Sequence, residues 1–133
     1  MDRRLRESVC RRADDRCEYC RLRQEHYRLW RHQIEHIIPR KHGGTDDEDN
    51  LAWACVRCNL GKSSNLSGID SDSGEIVTLF NPRKQDWSEH FQYQGARIVG
   101  LTPTGRATAA VLNMNEPDRV QLRIALLANH ELD

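Results

Sequence analysis

Four cysteines and one carboxylate–imidazole pair carry the chemistry that this chain's residue types and spacing could perform. Cys17 and Cys20 form one C-x-x-C turn, and Cys55 and Cys58 form another. Each such turn can bite a single ion with two thiolates, and two turns together make one tetrahedral zinc site. The 34 residues between the pairs exceed the gap of a simple zinc ribbon, so a small structure is expected between them. A thioredoxin-like motif would occur once, beside a βαβ pattern, which favours zinc over redox chemistry. The fifth cysteine, Cys10, falls in a predicted helix and reads as a small buried apolar residue. Inside the insertion, Ile34-Glu35-His36-Ile37-Ile38-Pro39 sets a carboxylate next to a histidine at a strand end. Neighbouring side chains on a strand point to opposite faces. Glu35 and His36 can share a site only if the strand ends or bends there, and Pro39 with Gly43-Gly44 allows that.

The elements that must position these groups are short. Residues 3–14 predict a helix, because Leu5, Val9, Cys10 and Ala13 recur at three- and four-residue spacing with arginine on the other faces. Residues 33–38, rich in isoleucine and stopped by Pro39, predict a strand; residues 51–54 predict a second, running into the second cysteine turn. Residues 40–50 are a loop by composition, and residues 59–66 a short helix ending near Ser67-Gly68. Residues 21–31 suggest no element.

In the second half, Asp70, Asp72 and Gly74 resemble the start of a calcium loop, but the twelfth position is Asn81 where the bidentate Glu would be needed, so a plain turn is expected. Strands follow at 75–80, at 89–93 and 97–101 as a hairpin across Gln94-Gly95, and at 106–112. A helix over 116–129 closes the chain, with Asn115 as N-cap, Pro117 in its first turn and an apolar stripe of Val120, Ile124 and Leu127. Trp87, His90 and Phe91 are expected to pack this half onto the first, and Arg106 to form a structural ion pair. With 133 residues and no repeat or flexible linker, residues 1–133 are expected to form one domain: core motif 17–66, extension 67–133.

The formal charge is zero, with 20 bases and 20 acids, but the zero is a cancellation. Residues 1–42 carry 11 Arg and 1 Lys against 7 acids, a net of +5, and residues 43–133 carry 8 bases against 13 acids, a net of −5. The expected surface has a basic face for phosphates and an acidic remainder, with Asp46, Asp47, Glu48 and Asp49 restraining non-specific binding. Mean hydropathy is −0.78, and no apolar run reaches the roughly 18 residues of a membrane span. The charged N-terminus lacks the apolar stretch of a secretory signal, so a cytoplasmic protein is expected, in a reducing compartment where disulfides are rare. The sequence sets no oligomeric state.

The order CEYC, IEHIIPRKHGG, DNLAWACVRCN and GK resembles the HNH endonuclease family. The second half, with GIDSDSGEIVTLFNPR, WSEHF and GLTPTGRATAAVLNMN, looks like a group of short bacterial HNH proteins. The resemblance implies an α+β fold: a ββα-metal core with structural zinc, an N-terminal helix, and a β-rich C-terminal extension ending in a helix. It also implies metal-dependent hydrolysis of DNA phosphodiesters, double-stranded DNA as partner, and a catalytic magnesium or manganese ion. His36 would be the general base, imidazole being a side chain suited to proton transfer at neutral pH. Glu35, in place of the family's usual Asp, and Asn59, at the third motif position, would hold the ion, unless Asn59 is only a helix cap. Asn50 would hydrogen-bond the 40–49 loop and hold His36. Lys62, Arg57, Arg40 and Lys41 would contact phosphates. The rival expectation is a non-catalytic, zinc-stapled nucleic-acid-binding module, since Glu35 and Asn59 depart from the more frequent Asp and His.

Overall fold

The computed structural model describes residues 2–132. The chain opens with α1 (Arg3–Arg12), capped by the Asp2 side chain, which accepts from the Arg4 amide, and closed with Arg11 and Arg12 in the last turn. Cations there oppose the negative end of the helix dipole. The first cysteine turn follows, and then β1 (Gln33–His36) pairs antiparallel with β2 (Leu51–Ala54), His36 opposite Leu51 and Gln33 opposite Ala54. α2 (Val56–Lys62) leaves β2 through Cys55, whose sulfur accepts from the Cys58 amide as an N-cap. This hairpin and helix carry the candidate residues Glu35, His36 and Asn59.

The extension adds two more hairpins: β3 (Ser67–Ile69) with β4 (Ile76–Thr78), and β5 (Phe91–Gln94) with β6 (Arg97–Gly100). A single turn, α3 (Trp87–His90), precedes β5, and the longer helices α4 (Pro103–Val111) and α5 (Pro117–Ala128) complete the order. The described residues form a mixed structure of helices and small two-stranded antiparallel sheets. One hydrophobic cluster joins the cysteine turns, Tyr19 and Ile37 to Phe80, Phe91, Ile98, Leu112 and Met114 of the extension. Phe80 and Phe91 meet edge-to-face at 5.3 Å, each fully buried aromatic ring contributing ~2 kcal/mol. Trp87 Nε1 donates to the Tyr19 carbonyl at 2.6 Å. α1 packs on the other face of the β1–β2 hairpin through Val9, Leu51 and Trp53. Among the described residues no helix is long and apolar enough to cross a membrane.

Several expectations are corrected. The strand at 106–112 is the helix α4: Thr102 caps it by accepting from the Gly105 amide, and Pro103 occupies its first turn. An apolar run of that length fits both periods, and the Thr-Pro start signal decides it. The helix expected over 59–66 begins at Val56 and ends at Lys62, where Ser63 turns to φ +49°, and Ser67 to Ile69 form β3. Residues 87–90 are helical and only 91–94 extended. β1 ends at His36, two residues short of Ile38. The α5 stripe is also different: Arg119, Arg123 and Leu126 are buried, while Ile124 and Leu127 are exposed. Asn115 does not cap α5; Glu116 holds that position, and the Asn115 amide bridges the Ile98 backbone on both sides. Cys10 is half-buried, its thiol 3.4 Å from Asp15 and pushed up to about 11, by burial first and by Asp15 second. The Asp70–Gly74 segment, by contrast, is the plain turn expected, and Arg106 forms its expected ion pair with the Asp70 carboxylate.

Candidate functional site

The four cysteine sulfurs lie within 4.8 Å of one another and are all buried. Cys20 Sγ and Cys55 Sγ are 3.7 Å apart, close to the ~3.8 Å edge of a tetrahedron with zinc–sulfur bonds of ~2.3 Å. The Cys20 amide donates to Cys17 Sγ and the Cys58 amide to Cys55 Sγ, each at 3.4 Å, so each turn is folded around its first sulfur. Without an ion, burial pushes the Cys17 and Cys58 thiols well up, while the hydrogen bond from Cys17 pulls Cys20 down. A divalent cation bound by all four would favour their ionising together. The site fits zinc, and four thiolates leave it no open position for chemistry.

Arg119 was not foreseen here. Its guanidinium reaches from α5 to within 3.0 Å of Cys58 Sγ and 3.9 Å of Cys55 Sγ, and donates also to the Leu112 and Asn113 carbonyls. Burial works against its charge, and the thiolates of Cys58, Cys20 and Cys55 more than offset that. A buried arginine on an amphipathic helix looks like a surface residue until its anionic neighbours are known.

β1 deals its side chains to two faces. Gln33 and Glu35 point toward α2, while Ile34 joins the cluster under α1 and His36 lies on that same side. The chain bends only beyond the strand, at Ile37 and Ile38, so Glu35 and His36 stay on opposite faces and share no hydrogen bond. Glu35 is 3% exposed; one oxygen accepts from the Tyr19 hydroxyl and the other from Lys62 Nζ at 2.7 Å. Lys62 also donates to the carbonyls of His36 and Ile37. Burial raises the Glu35 pKa, with Lys62 opposing, and burial and then Glu35 push the Tyr19 phenol well up. Asn59, one helical turn before Lys62, donates to Gln33 Oε1 at 2.6 Å. Glu35 and Asn59 have the hard oxygens that magnesium or manganese prefers. As arranged they do not fit an ion, because both Glu35 oxygens are taken and an ammonium faces one of them.

His36 stands at the other face, its side chain 20% exposed and Nε2 2.8 Å from Asp46. Asp46 also takes two hydrogen bonds from Arg40, at 2.8 and 2.9 Å, and the His36 hydrogen bond is the main cause holding its pKa below the usual range. Asn50 ties the loop down: Oδ1 accepts from the Ile38 amide, and Nδ2 donates to the Ile38 and Thr45 carbonyls. Gly44 permits this closure, since a Cβ there would fall 1.6 Å from the Ile38 carbonyl oxygen. Gly43, at φ +89°, makes the preceding turn.

Of the expected phosphate contacts, Lys62 is corrected: it is 1% exposed and turned into the Glu35 pair. Arg57 is bound by Glu116 and Asp118. Arg40 is exposed but holds Asp46, and Lys41 is exposed. Tyr19, Gln33 and Asp46 were missed. Tyr19 lies between two cysteines, and Asp46 was read only as part of a charge run.

A β-hairpin and a helix joined around four cysteines, with a partly exposed histidine ending the first strand, define a ββα-metal module. Residues 17–65 match the family model described as HNH endonuclease. No curated protein and no solved structure matches the chain.

Proposed function

We propose that residues 1–133 act as a single HNH endonuclease domain that hydrolyses phosphodiester bonds of double-stranded DNA. The observation that carries this is His36. It ends the first strand of a family-matched core, is open to solvent on one side, and has a carboxylate, Asp46, on one ring nitrogen. A base held by an orienting partner is the arrangement that general-base hydrolysis needs. His36 takes a proton from water, the hydroxide oxygen bonds to phosphorus, and the bond to the 3′ oxygen breaks as that oxygen takes a proton from solvent, giving 5′-phosphate and 3′-hydroxyl ends. Arg40 and Lys41, on the loop beside His36, are the phosphate contacts of this reading. Magnesium or manganese is the ion the family implies, with Glu35 and Asn59 as its ligands by sequence; their present partners give no step through it. Zinc serves the fold, and the cytoplasm is the proposed location.

Plasmid nicking tests the reading, with and without magnesium or manganese, for the parent and His36→Ala. The expected result is ion-dependent nicking by the parent and a loss of about 10²- to 10⁴-fold in the variant. Equal rates for the two would remove His36 as base. The buried Glu35–Lys62 pair favours one second reading, a zinc-stapled module that binds nucleic acid without cutting it. A parent that binds DNA and never nicks it would establish that reading.

A further inference from the structure

We propose that the groove between α1 and residues 24–31 is a second phosphate-binding surface that holds the backbone of duplex DNA away from His36. The inference rests on the DNA reading above but not on catalysis. The groove encloses about 920 Å³ and is lined by five arginines, at positions 3, 6, 11, 28 and 31, against two acids, Glu7 and Asp15. Both acids are already engaged: Glu7 with Arg3 at 3.2 Å, and Asp15 with Trp53 Nε1 at 2.9 Å.

The arginines come from two separate segments. Along α1, positions 3, 6, 10 and 11 fall on one side of the helix, and Ser8 and Arg12 fall on the other, where they bond Glu48 and the Leu51 carbonyl. Leu51 is the partner of His36 in the hairpin, so α1 stands between the groove and the proposed base. Arg6 is fixed at the floor, donating to the His32 carbonyl and lying 4.8 Å above the Trp53 ring. Arg11, Arg28 and Arg31 are exposed and have no carboxylate partner among the described residues. Exposed arginines without acids present forked donors that match phosphate oxygens.

From Arg3 to Arg11 the helix rises ~12 Å, and a duplex carries a negative charge about every 1.7 Å of its axis. The groove's open form and net positive lining suit a charged backbone better than a small ligand. Its place across α1 from His36 makes it an anchor that sets affinity, with bond cleavage left to the other side.

Fluorescence anisotropy of a labelled 25-base-pair duplex, with no divalent ion added, tests this across a salt series. Replacing Arg11, Arg28 and Arg31 by Gln together should weaken binding at least about tenfold and reduce the log–log salt slope by up to about 3, near 0.9 per lost phosphate contact. The triple Lys variant, which keeps the charge, should retain most of the slope and shows that the fold tolerates these positions. A Gln variant with the parent's affinity and slope overturns the proposal, as does a parent that binds only single strands or no nucleic acid. A parent that binds through this groove but never nicks DNA leaves the groove standing and removes the catalytic reading.

Discussion

His36 and Arg40 converge on one carboxylate: Asp46 Oδ1 lies 2.8 Å from His36 Nε2, and the Arg40 guanidinium bonds both Asp46 oxygens. An imidazole and a guanidinium around an anion are what a phosphodiester would also meet. Asp46 therefore has two opposed effects on the proposed reaction: it orients the imidazole, and it competes with a phosphate for Arg40. Asp46→Asn should tighten DNA binding, measured by anisotropy, and slow nicking at saturating DNA by about tenfold or more, the worth of one hydrogen bond to a charged group. Tighter binding at an unchanged maximal rate would leave Asp46 only the competing role.

Lys62 is the residue whose removal should cost most in the core. Its ammonium and the Glu35 carboxylate are both buried, and breaking such a pair from one side leaves an uncompensated charge. Lys62→Met should lower unfolding free energy by about 3 kcal/mol, read from urea titration. Adding Glu35→Gln should recover part of that loss. If the double variant is as unstable as the single, the carbonyls of His36 and Ile37 are what Lys62 supports, and the ion pair is secondary.

The core was legible because its signals are local. Paired cysteines, a β-branched run before Pro39 and a Gly-Gly loop are each short-range signals, and together they gave the four-cysteine cluster, the hairpin and the Asn50 loop region. The misses depend on contacts between distant residues. Lys62 looked like a phosphate ligand because its position on α2 was known but its facing strand was not; Glu35 two residues beyond Gln33 turned it inward. Arg119 and Arg123 broke the amphipathic reading of α5 because thiolates and carbonyls, which sequence periodicity does not count, are their partners. α4 was missed through an ambiguous apolar run, although its Thr-Pro cap was present in the sequence.

Arg119 links the extension to the cysteine cluster. Its guanidinium sits 3.0 Å from Cys58 Sγ, where it would offset the net negative charge of four thiolates holding one +2 ion. Arg119→Met keeps much of the side chain's bulk and removes the charge and the donors. Zinc affinity, measured by competition with a colorimetric chelator, should fall about 10- to 100-fold, the usual effect of losing such a supporting contact. Unchanged affinity would mean that the cysteine turns alone set the site, and that α5 packs against it without electrostatic consequence.

Asp70 gives the extension a pH dependence with a definite sign. Its carboxylate is enclosed, bonded by Arg106 and by the amide and hydroxyl of Ser73. The Arg106 hydrogen bond, opposed by burial and aided by Ser73, holds its pKa well below the ordinary carboxylate range. A folded-state pKa below the unfolded one means that the stabilisation is fully present above the unfolded value, about 3.9, and is lost as pH falls toward the folded one. Asp70→Asn removes that ionisation. The gap between parent and variant in urea midpoint should therefore be widest near pH 7 and shrink steadily below pH ~4. Since Arg106 lies on α4 and Asp70 follows β3, the same titration should loosen that helix from the β3–β4 hairpin first, seen as amide exchange rising there before it rises in α2. A midpoint gap constant from pH 7 to pH 3 would show that Asp70 acts through its shape and hydrogen bonds, independent of its charge.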